Sequence, residues 1–378
     1  MVTPLFTERN DPYYMTHADQ PRTFTNQLFE RSIVPTEGQR ILTLGVDPSL
    51  VVTWAQATGN SGAVAAIEHW LPDFRALEIA AQRVPSATLQ MYFASDLTIL
   101  EDQQFDICVI DCSSYASNRS LYQLTHAAAN RLVVGGTIYA AGPKESGILP
   151  LTKRFETLFG NAEPLAYRKG QRIVVALRQG EIGPLAPEDM VTGTFNLDIN
   201  GVEWELERNA GVFAKGEIDD ATAMLVGAID IEPNDRVLDL GCGSGILGMI
   251  AATMTPRYEA VLVDADADAL AVTRRNCERN HITNVRIVPS DITDAITNER
   301  FTVVVCNPPF HQRGEPAVGL SKRFIRGARA VLQHDGRFYV VANRFLPYES
   351  RLAESFTTVT EVAGDERYKV LLAQGPRS

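Results

Sequence analysis

Apolar residues along the chain form short runs rich in Val, Ile and Leu, and these runs alternate with longer amphipathic stretches. Runs of this kind are typical of strands that are buried on both faces, while the longer stretches have the periodicity of helices. Regular alternation of the two indicates a parallel sheet with helices on both faces. The pattern therefore predicts an α/β fold.

The pattern occurs twice. Three pairs of strand-like segments resemble one another at offsets of 196, 196 and 200 residues: Gln39–Ser49 with Asp235–Gly245, Phe105–Tyr115 with Phe301–His311, and Arg131–Tyr139 with Val331–Tyr339. Three matches in the same order indicate an internal duplication. We therefore expect two copies of one α/β unit.

The length of 378 residues also favours two domains. Between the copies, residues 178–193 contain two prolines and three glycines, a composition typical of a linker. Alternating residues on both sides of Asn200-Gly201 then predict a β-hairpin. We expect a first domain over residues 1–186 and a second domain over residues 187–378 that opens with this hairpin.

Composition limits the class of protein. The hydrophobic share of 45% and the charged share of 21% are those of a globular protein. We find no apolar run of about 18 residues and no pattern of a signal peptide, so we expect a cytoplasmic protein without a membrane partner. The five cysteines and six histidines lack the spacing of metal ligands, so we expect no metal site.

Charge is distributed unevenly. The formal net charge of −11 argues against non-specific binding of nucleic acid over the whole surface. In contrast, residues 307–351 contain eight basic and three acidic residues, a balance of 8 − 3 = +5. This segment is either the solvated face of a helix or a surface that holds phosphates.

A glycine-rich turn follows the first strand of the second copy, in "RVLDLGCGSGILG". Gly241, Gly243 and Gly245 allow a sharp bend and a close approach to a ligand. Amides at the start of the next helix can bind polar groups, at the sheet edge where ligands of such folds bind. A tight connection without a ligand is the simpler alternative. Because Gly248 completes the G-x-G-x-x-G pattern, a dinucleotide site is another.

Two acids end the next predicted strands of the second copy. The carboxylate of Asp264 could accept hydrogen bonds from a ribose diol, and that of Asp291 could accept them from the amino group of an adenine. Either acid could instead cap a helix or lie on a surface loop. The first copy lacks these features, since our alignment places Ile67 opposite Asp264 and Asp111 opposite Asn307.

The stretch "FTVVVCNPPFH" ends a buried strand with an amide, two prolines and a ring. The Asn307 side chain and the Pro308 carbonyl are both acceptors, and the prolines fix φ. Phe310 offers a flat face beside them. This pocket fits a planar group with an NH₂, whose lone pair the two acceptors would direct toward an electrophile. A strand that simply ends at prolines is the alternative.

"VLDLGCGSG" together with "CNPPFH" resembles the class I S-adenosylmethionine-dependent methyltransferases that act on exocyclic or amide nitrogen. Residues 211–222, 307–314 and 340–349 resemble more narrowly the bacterial ribosomal RNA guanine-N2 methyltransferases. The resemblance covers essentially the whole chain, although the first half matches in architecture more than in motif. At Ala214-Lys215 the chain departs from the Ser-Arg that is common in that family.

The resemblance implies two tandem Rossmann-like methyltransferase domains, of which the first is degenerate and serves RNA recognition or as a scaffold. It implies methyl transfer from S-adenosylmethionine to the N2 of a guanine in ribosomal RNA, free or in an assembled subunit. "FLPYE" favours a small-subunit enzyme, whereas "FHQ" with "VANR" favours a large-subunit one; we expect the small subunit.

The resemblance also implies roles for particular residues. Asn307 and Pro308 would be catalytic, and Phe310, His311 and Arg313 would bind the substrate. The cofactor would be bound by Phe213, Asp219, Gly241, Cys242, Gly243, Gly245, Asp264, Ala265, Asp291 and Ile292.

Three other functions fit part of the sequence. An NAD-dependent oxidoreductase would explain the glycines and Asp264, but it leaves the Asn-Pro-Pro-Phe motif unexplained. Methyltransferases acting on DNA adenine or protein glutamine share that motif. An RNA-binding protein without catalysis is expected to have lost Asp264 or Asn307, and both are present.

Overall fold

The computed structural model describes residues 24–82, 84–85, 88–115, 117–189, 193–199, 201–207, 218–309 and 317–377. Four of the predicted site residues lie outside these ranges, namely Phe213, Phe310, His311 and Arg313. Within these ranges, no helix is long and apolar enough to cross a membrane.

The first domain alternates strands and helices as the apolar pattern predicts. Its elements follow in this order: α1 (Phe24–Ser32), β1 (Arg40–Leu44), α2 (Pro48–Ala57), β2 (Ala63–Glu68), α3 (Leu71–Ala81), β3 (Leu89–Phe93), β4 (Phe105–Asp111), α4 (Asn118–Asn130), β5 (Leu132–Pro143), α5 (Ile148–Phe159), β6 (Glu163–Arg168) and β7 (Gln171–Leu177).

The second domain begins with the predicted hairpin, in which strands β8 and β9 pair antiparallel. Its elements are β8 (Thr194–Ile199), β9 (Val202–Glu207), α6 (Asp220–Ala228), β10 (Val237–Leu240), α7 (Ile246–Met254), β11 (Ala260–Asp264), α8 (Ala267–Arg279), β12 (Val285–Pro289), β13 (Phe301–Cys306), α9 (Ala317–Val331), β14 (Leu332–Asn343), α10 (Tyr348–Ser355), β15 (Phe356–Gly364) and β16 (Tyr368–Pro376).

The two domains have the same sheet topology. The strand order is β3-β2-β1-β4-β5-β7-β6 in the first sheet and β12-β11-β10-β13-β14-β16-β15 in the second. Even a register shift recurs, between Phe105 and Ile107 in one copy and between Phe301 and Val303 in the other. The predicted duplication is therefore confirmed. The sheets are parallel only in part, because the last two strands of each run antiparallel to their neighbours.

Buried side chains cover both faces of each sheet. In β13, for example, the side chains of Val303, Val304 and Val305 are fully buried, and they alternate between the clusters on the two faces. A strand buried on both sides keeps its carboxyl end fixed, so the residue that follows it has a defined position at the sheet edge.

The domains contact each other through equivalent loops, one after β2 and the other after β11. The Leu71 amide donates to the Ala265 carbonyl (2.9 Å), and the Ala267 amide donates to the His69 carbonyl (2.8 Å). The two loops thus run antiparallel. This contact brings part of the first domain to the edge of the second sheet.

Candidate functional site

A cavity of about 260 Å³ lies at the carboxyl ends of β10, β11, β12 and β13. This is the edge at which ligands bind in parallel α/β sheets. Seven of the predicted site residues line the cavity, and they come from four separate loops: Gly241, Gly243, Asp264, Ala265, Asp291, Ile292 and Asn307.

The glycine turn forms the floor of this cavity. Gly241, Gly243 and Gly245 all have positive φ, at 80°, 56° and 83°, which is the region that favours glycine. A Cβ at Gly243 would find no described atom within 4 Å, so this glycine faces open space. A Cβ at Gly245 would lie 2.7 Å from the Thr273 side chain. The first glycine therefore leaves room for a ligand, and the second allows close packing.

A buried carboxyl group supports the helix behind the turn. Asp239 is fully buried, and its Oδ2 accepts a bond from the Gly248 amide at 2.8 Å. Among the described residues, its Oδ1 has no hydrogen-bond partner. Burial raises the pKa of Asp239 to about 7, since the charged form loses its hydration.

Asp264 holds the loops on both sides of it. Its Oδ2 accepts from the Gly243 amide and its Oδ1 accepts from the Asp266 amide, each at 3.0 Å. Burial raises the pKa of Asp264, and these backbone bonds act in the opposite direction. Because each carboxylate oxygen has two lone pairs, both oxygens can still accept from a diol.

The wall formed by Asp291 and Ile292 is rigid. Both carboxylate oxygens of Asp291 accept from the Arg323 guanidinium at 2.6 Å. Ile292 has a φ of 56°, which is rare for a β-branched residue and costs about 1–3 kcal/mol. A Cβ on Gly327 would lie 2.3 Å from the Ile292 side chain. Strain of this kind occurs at ligand sites, and here it turns an apolar side chain into the cavity wall.

The Asn307 amide has a defined orientation. The Thr222 hydroxyl donates its proton to Asp219 Oδ2 (2.7 Å), so its oxygen accepts from Asn307 Nδ2 (2.7 Å). Asp219 Oδ1 also accepts from Asn307 Nδ2, at 3.3 Å. Since a carboxylate only accepts, both contacts direct the amide nitrogen toward α6. The amide atom left for a ligand is the oxygen Oδ1.

Asp219 contacts a residue of the lining but is not itself part of it. It caps α6 through the Thr222 amide (2.9 Å) and holds Asn307, and its expected place near the cofactor stays a prediction. Three further predicted residues lie behind the lining. Cys242 packs in the core, Gly245 packs on α8, and Pro308 is buried after β13.

Sequence reasoning missed several residues that line the cavity. Trp70 comes from the first domain, and Phe324 comes from α9. Gly241 fits against this ring, since a Cβ there would lie 3.2 Å from Phe324. The helical spacing of Phe324 marks it only as a core residue, and no local signal connects Trp70 with a site about 170–240 residues away along the chain.

The basic segment after Asn307 is largely engaged within its own domain. Besides Arg323 with Asp291, Arg337 pairs with Asp235 (2.5 Å) and Arg344 pairs with Glu361 (2.7 Å). Arg351 is buried and donates to Ser321. Three of the eight basic residues are thus paired with acids of the same domain, which neutralises part of the segment's positive charge.

Residues 203–372 match the family profile of the methyltransferase small domain. This segment, under half of the chain, is therefore similar to that family. The finding confirms the methyltransferase resemblance that was drawn from the glycine turn and the Asn-Pro-Pro-Phe motif.

Curated relatives extend the match beyond the methyltransferase domain. The chain is 29% identical over 295 residues to the ribosomal RNA small subunit methyltransferase C of Shewanella loihica, covering 76% of this chain and 83% of that protein. It is 29% identical over 223 residues to the ribosomal RNA large subunit methyltransferase G of Klebsiella pneumoniae, covering 58% of each. The chain thus spans less than two thirds of the length of the Klebsiella pneumoniae protein.

A solved structure matches both domains. The 16S rRNA N2 methyltransferase of T. thermophilus, in complex with AdoMet and guanosine, superposes with a TM-score of 0.77 at 27% identity, covering 94% of this chain and 92% of that one. The predicted architecture of two tandem methyltransferase-like domains is confirmed by this match and by the two sheets.

Proposed function

We propose that the protein transfers a methyl group from S-adenosylmethionine to the exocyclic N2 of a guanine in ribosomal RNA. The observation that carries this proposal is the Asn307 amide, held by Asp219 and Thr222 so that its oxygen is left for a ligand at a cavity floored by the glycine turn. The relatives named above support the substrate class.

The cavity fits the proposed cofactor. Open space above Gly243 suits the methionine part, and Asp264 keeps acceptor capacity for the ribose. Ala265 and Ile292 provide apolar walls for the adenine. When bound, S-adenosylmethionine supplies a methyl group on a positively charged sulfur. Among the described residues, no cluster of His, Cys, Asp and Glu could hold a metal ion.

The protein's own residues orient the amino group. Asn307 Oδ1 and the Pro308 carbonyl would accept the two N–H groups of guanine N2, which directs its lone pair out of the pocket. The same acceptors favour the positive charge that develops on nitrogen during attack. Asp219 adds a carboxylate 3.3 Å from the Asn307 nitrogen. The proton released after transfer would leave to water.

A guanine within folded RNA must be turned out of its stack to reach this pocket, at a cost of a few kcal/mol. In our proposal Phe310, His311 and Arg313, which follow the acceptors, contact the base. The first domain, residues 1–186, would select the RNA or support the second domain, residues 187–378.

A small-subunit substrate is the better supported of the two ribosomal classes. The small subunit relative aligns over 83% of its length, against 58% for the large subunit relative. The solved structure that matches both domains is also of a 16S rRNA enzyme. A large-subunit guanine is the second candidate.

Parallel methylation reactions test this function. The purified protein and labelled S-adenosylmethionine are incubated with 16S rRNA, 23S rRNA, each assembled subunit, DNA and a release factor, and the products are digested for mass analysis. We expect N2-methylguanosine from small-subunit RNA. Label in adenine or in protein glutamine, or none in RNA, would contradict the proposal.

A further inference from the structure

The first domain supplies one wall of the cavity in the second. Trp70, in the loop after β2, lines this cavity together with Asp264, Ala265 and Asp266. No other aromatic side chain among the described residues of the first domain lines it. The site is therefore shared between the two domains.

Backbone hydrogen bonds hold Trp70 in place. The residues on either side of it bond to the loop after β11, His69 through its carbonyl and Leu71 through its amide. Trp70 itself stands opposite Asp266 in this antiparallel bridge. These bonds fix the backbone of Trp70 relative to Asp264, which is two residues away from its bridge partner.

Side-chain contacts anchor the same interface. Arg75 of α3 forms an ion pair with Asp294 of the second domain. Phe93, at the end of β3, packs against the cluster that contains Leu262 and Leu270. The loop that carries Trp70 thus lies within a contact that includes both an ion pair and apolar packing, and Trp70 lines the cavity from this side.

Position along the cavity indicates what the ring contacts. The loop after β11 carries Asp264 and Ala265, which lie at the end where the ribose and adenine fit. Asn307 belongs to the loop after β13, and β10 lies between the two strands. Trp70 therefore lies on the side of the cavity expected for the nucleoside, while Asn307 lies on the other side of β10.

We propose that Trp70 of the first domain packs against the nucleoside part of S-adenosylmethionine, so that the degenerate domain completes the cofactor site of the active one. This inference rests on the proposed function. An indole ring beside a purine and ribose removes apolar surface from water and can stack on the base. Cofactor retention is then a role of the first domain that is separate from RNA selection.

Cofactor affinity tests the proposal without any methyl transfer. Calorimetry with S-adenosylmethionine compares the full-length wild type with Trp70→Ala, Trp70→Phe and Arg75→Ala. We expect Trp70→Ala to weaken binding about tenfold and Trp70→Phe to retain most of it. Arg75→Ala, which removes an ion pair between the domains but no cavity-lining atom, should change affinity less than about twofold.

Two results would overturn the inference. Equal affinity of the wild type and Trp70→Ala would show that the ring contributes nothing. Equal weakening in Arg75→Ala and Trp70→Ala would show that a loosened domain contact, and not the ring, is responsible. If the wild type itself binds no S-adenosylmethionine, the proposed function fails first, which distinguishes the two failures.

Fluorescence gives a second readout. The chain has three tryptophans, and two of them, Trp54 and Trp204, are only 2% and 3% exposed in their cores. A change in tryptophan emission on addition of S-adenosylmethionine should therefore arise from Trp70 and disappear in Trp70→Phe. A change that persists in this variant would contradict direct contact.

Discussion

The two domains share one topology, but within the part of the chain that the structure describes only the second keeps the space at its sheet edge open. In the first domain, the Ser114 hydroxyl donates to the Gly45 carbonyl at 2.6 Å, and a Cβ on Gly45 would lie 2.4 Å from the Ser114 side chain. Tyr115 stacks on His69 at 4.6 Å. The protein's own side chains thus occupy the region that forms the cavity in the second domain.

The two domains also differ at the start of the helix that follows their first sheet strand, α2 after β1 and α7 after β10. Helix α2 starts at a cap, Asp47, whose carboxylate accepts from the Ser49 amide at 2.9 Å. Helix α7 starts at Gly245, which has no capping side chain. In α7 the Gly248 amide of the first turn donates instead to the buried Asp239 of β10, so the turn itself carries no acid. In α2 the acid stands within the turn, at the position equivalent to Gly243.

Strand register corrects one part of our alignment. The Gly45 amide donates to Ile67 as the Gly241 amide donates to Val263, so Glu68, and not Ile67, is equivalent to Asp264. The first domain has kept a buried acid at this strand end. The first domain thus differs from the second mainly in the turns after β1 and β4, while the two sheets have the same strand order.

Substitutions at the equivalent positions Asn307, after β13, and Asp111, at the end of β4, should give the largest difference in turnover between the domains. Asn307→Ala removes the oriented acceptor, and we expect turnover to fall about 10³-fold with little change in S-adenosylmethionine affinity. Asp111→Asn, at the equivalent position of the first domain, should retain turnover. Single-turnover kinetics and calorimetry measure the two quantities. Unchanged turnover in Asn307→Ala would refute its role.

Introducing the first domain's turn residue into the second should close the site. Gly243→Asp places the equivalent of Asp47 in the open space above the turn, with no described atom within 4 Å of its Cβ. We expect cofactor affinity to fall about 100-fold from lost space and added negative charge. The reverse change, Asp47→Gly, should create no binding in calorimetry, because Ser114 and Tyr115 still fill the first domain.

A smaller loss is expected from a change behind the wall. Gly327→Ala adds a methyl group 2.3 Å from the Ile292 side chain, so the wall must shift toward the cavity. We expect about tenfold weaker S-adenosylmethionine binding with a modest fall in stability. Calorimetry and thermal melting check this. Wild-type affinity in Gly327→Ala would show that the strained position of Ile292 is irrelevant to the ligand.

The smallest effect concerns stability and pH. The pKa of Asp239 is raised to about 7 by burial, so the folded protein holds a proton that the unfolded chain releases near pH 4. Stability from this group is present at low pH and is lost as the pH rises through 7. Relative to Asp239→Asn, the wild type should lose about 1 kcal/mol between pH 6 and 7 in urea unfolding. A difference independent of pH would contradict the buried proton.

The sequence predicted the duplication, the hairpin and half of the cavity lining, because these follow from local patterns at strand ends. Contacts between distant segments had no such signal. The bond from Asn307 to Thr222 spans 85 residues, and Trp70 reaches the site only because the domains pack loop against loop. The sequence likewise did not show that Arg323, Arg337 and Arg344 of the basic segment pair with acids elsewhere in the domain.

The number of S-adenosylmethionine sites per chain tests the central comparison most directly. Calorimetric titration of the full-length protein should give one site, and Gly243→Asp should weaken that site about 100-fold. Two sites in the wild type, or wild-type affinity in Gly243→Asp, would contradict the conclusion that the second domain alone keeps an open cofactor cavity.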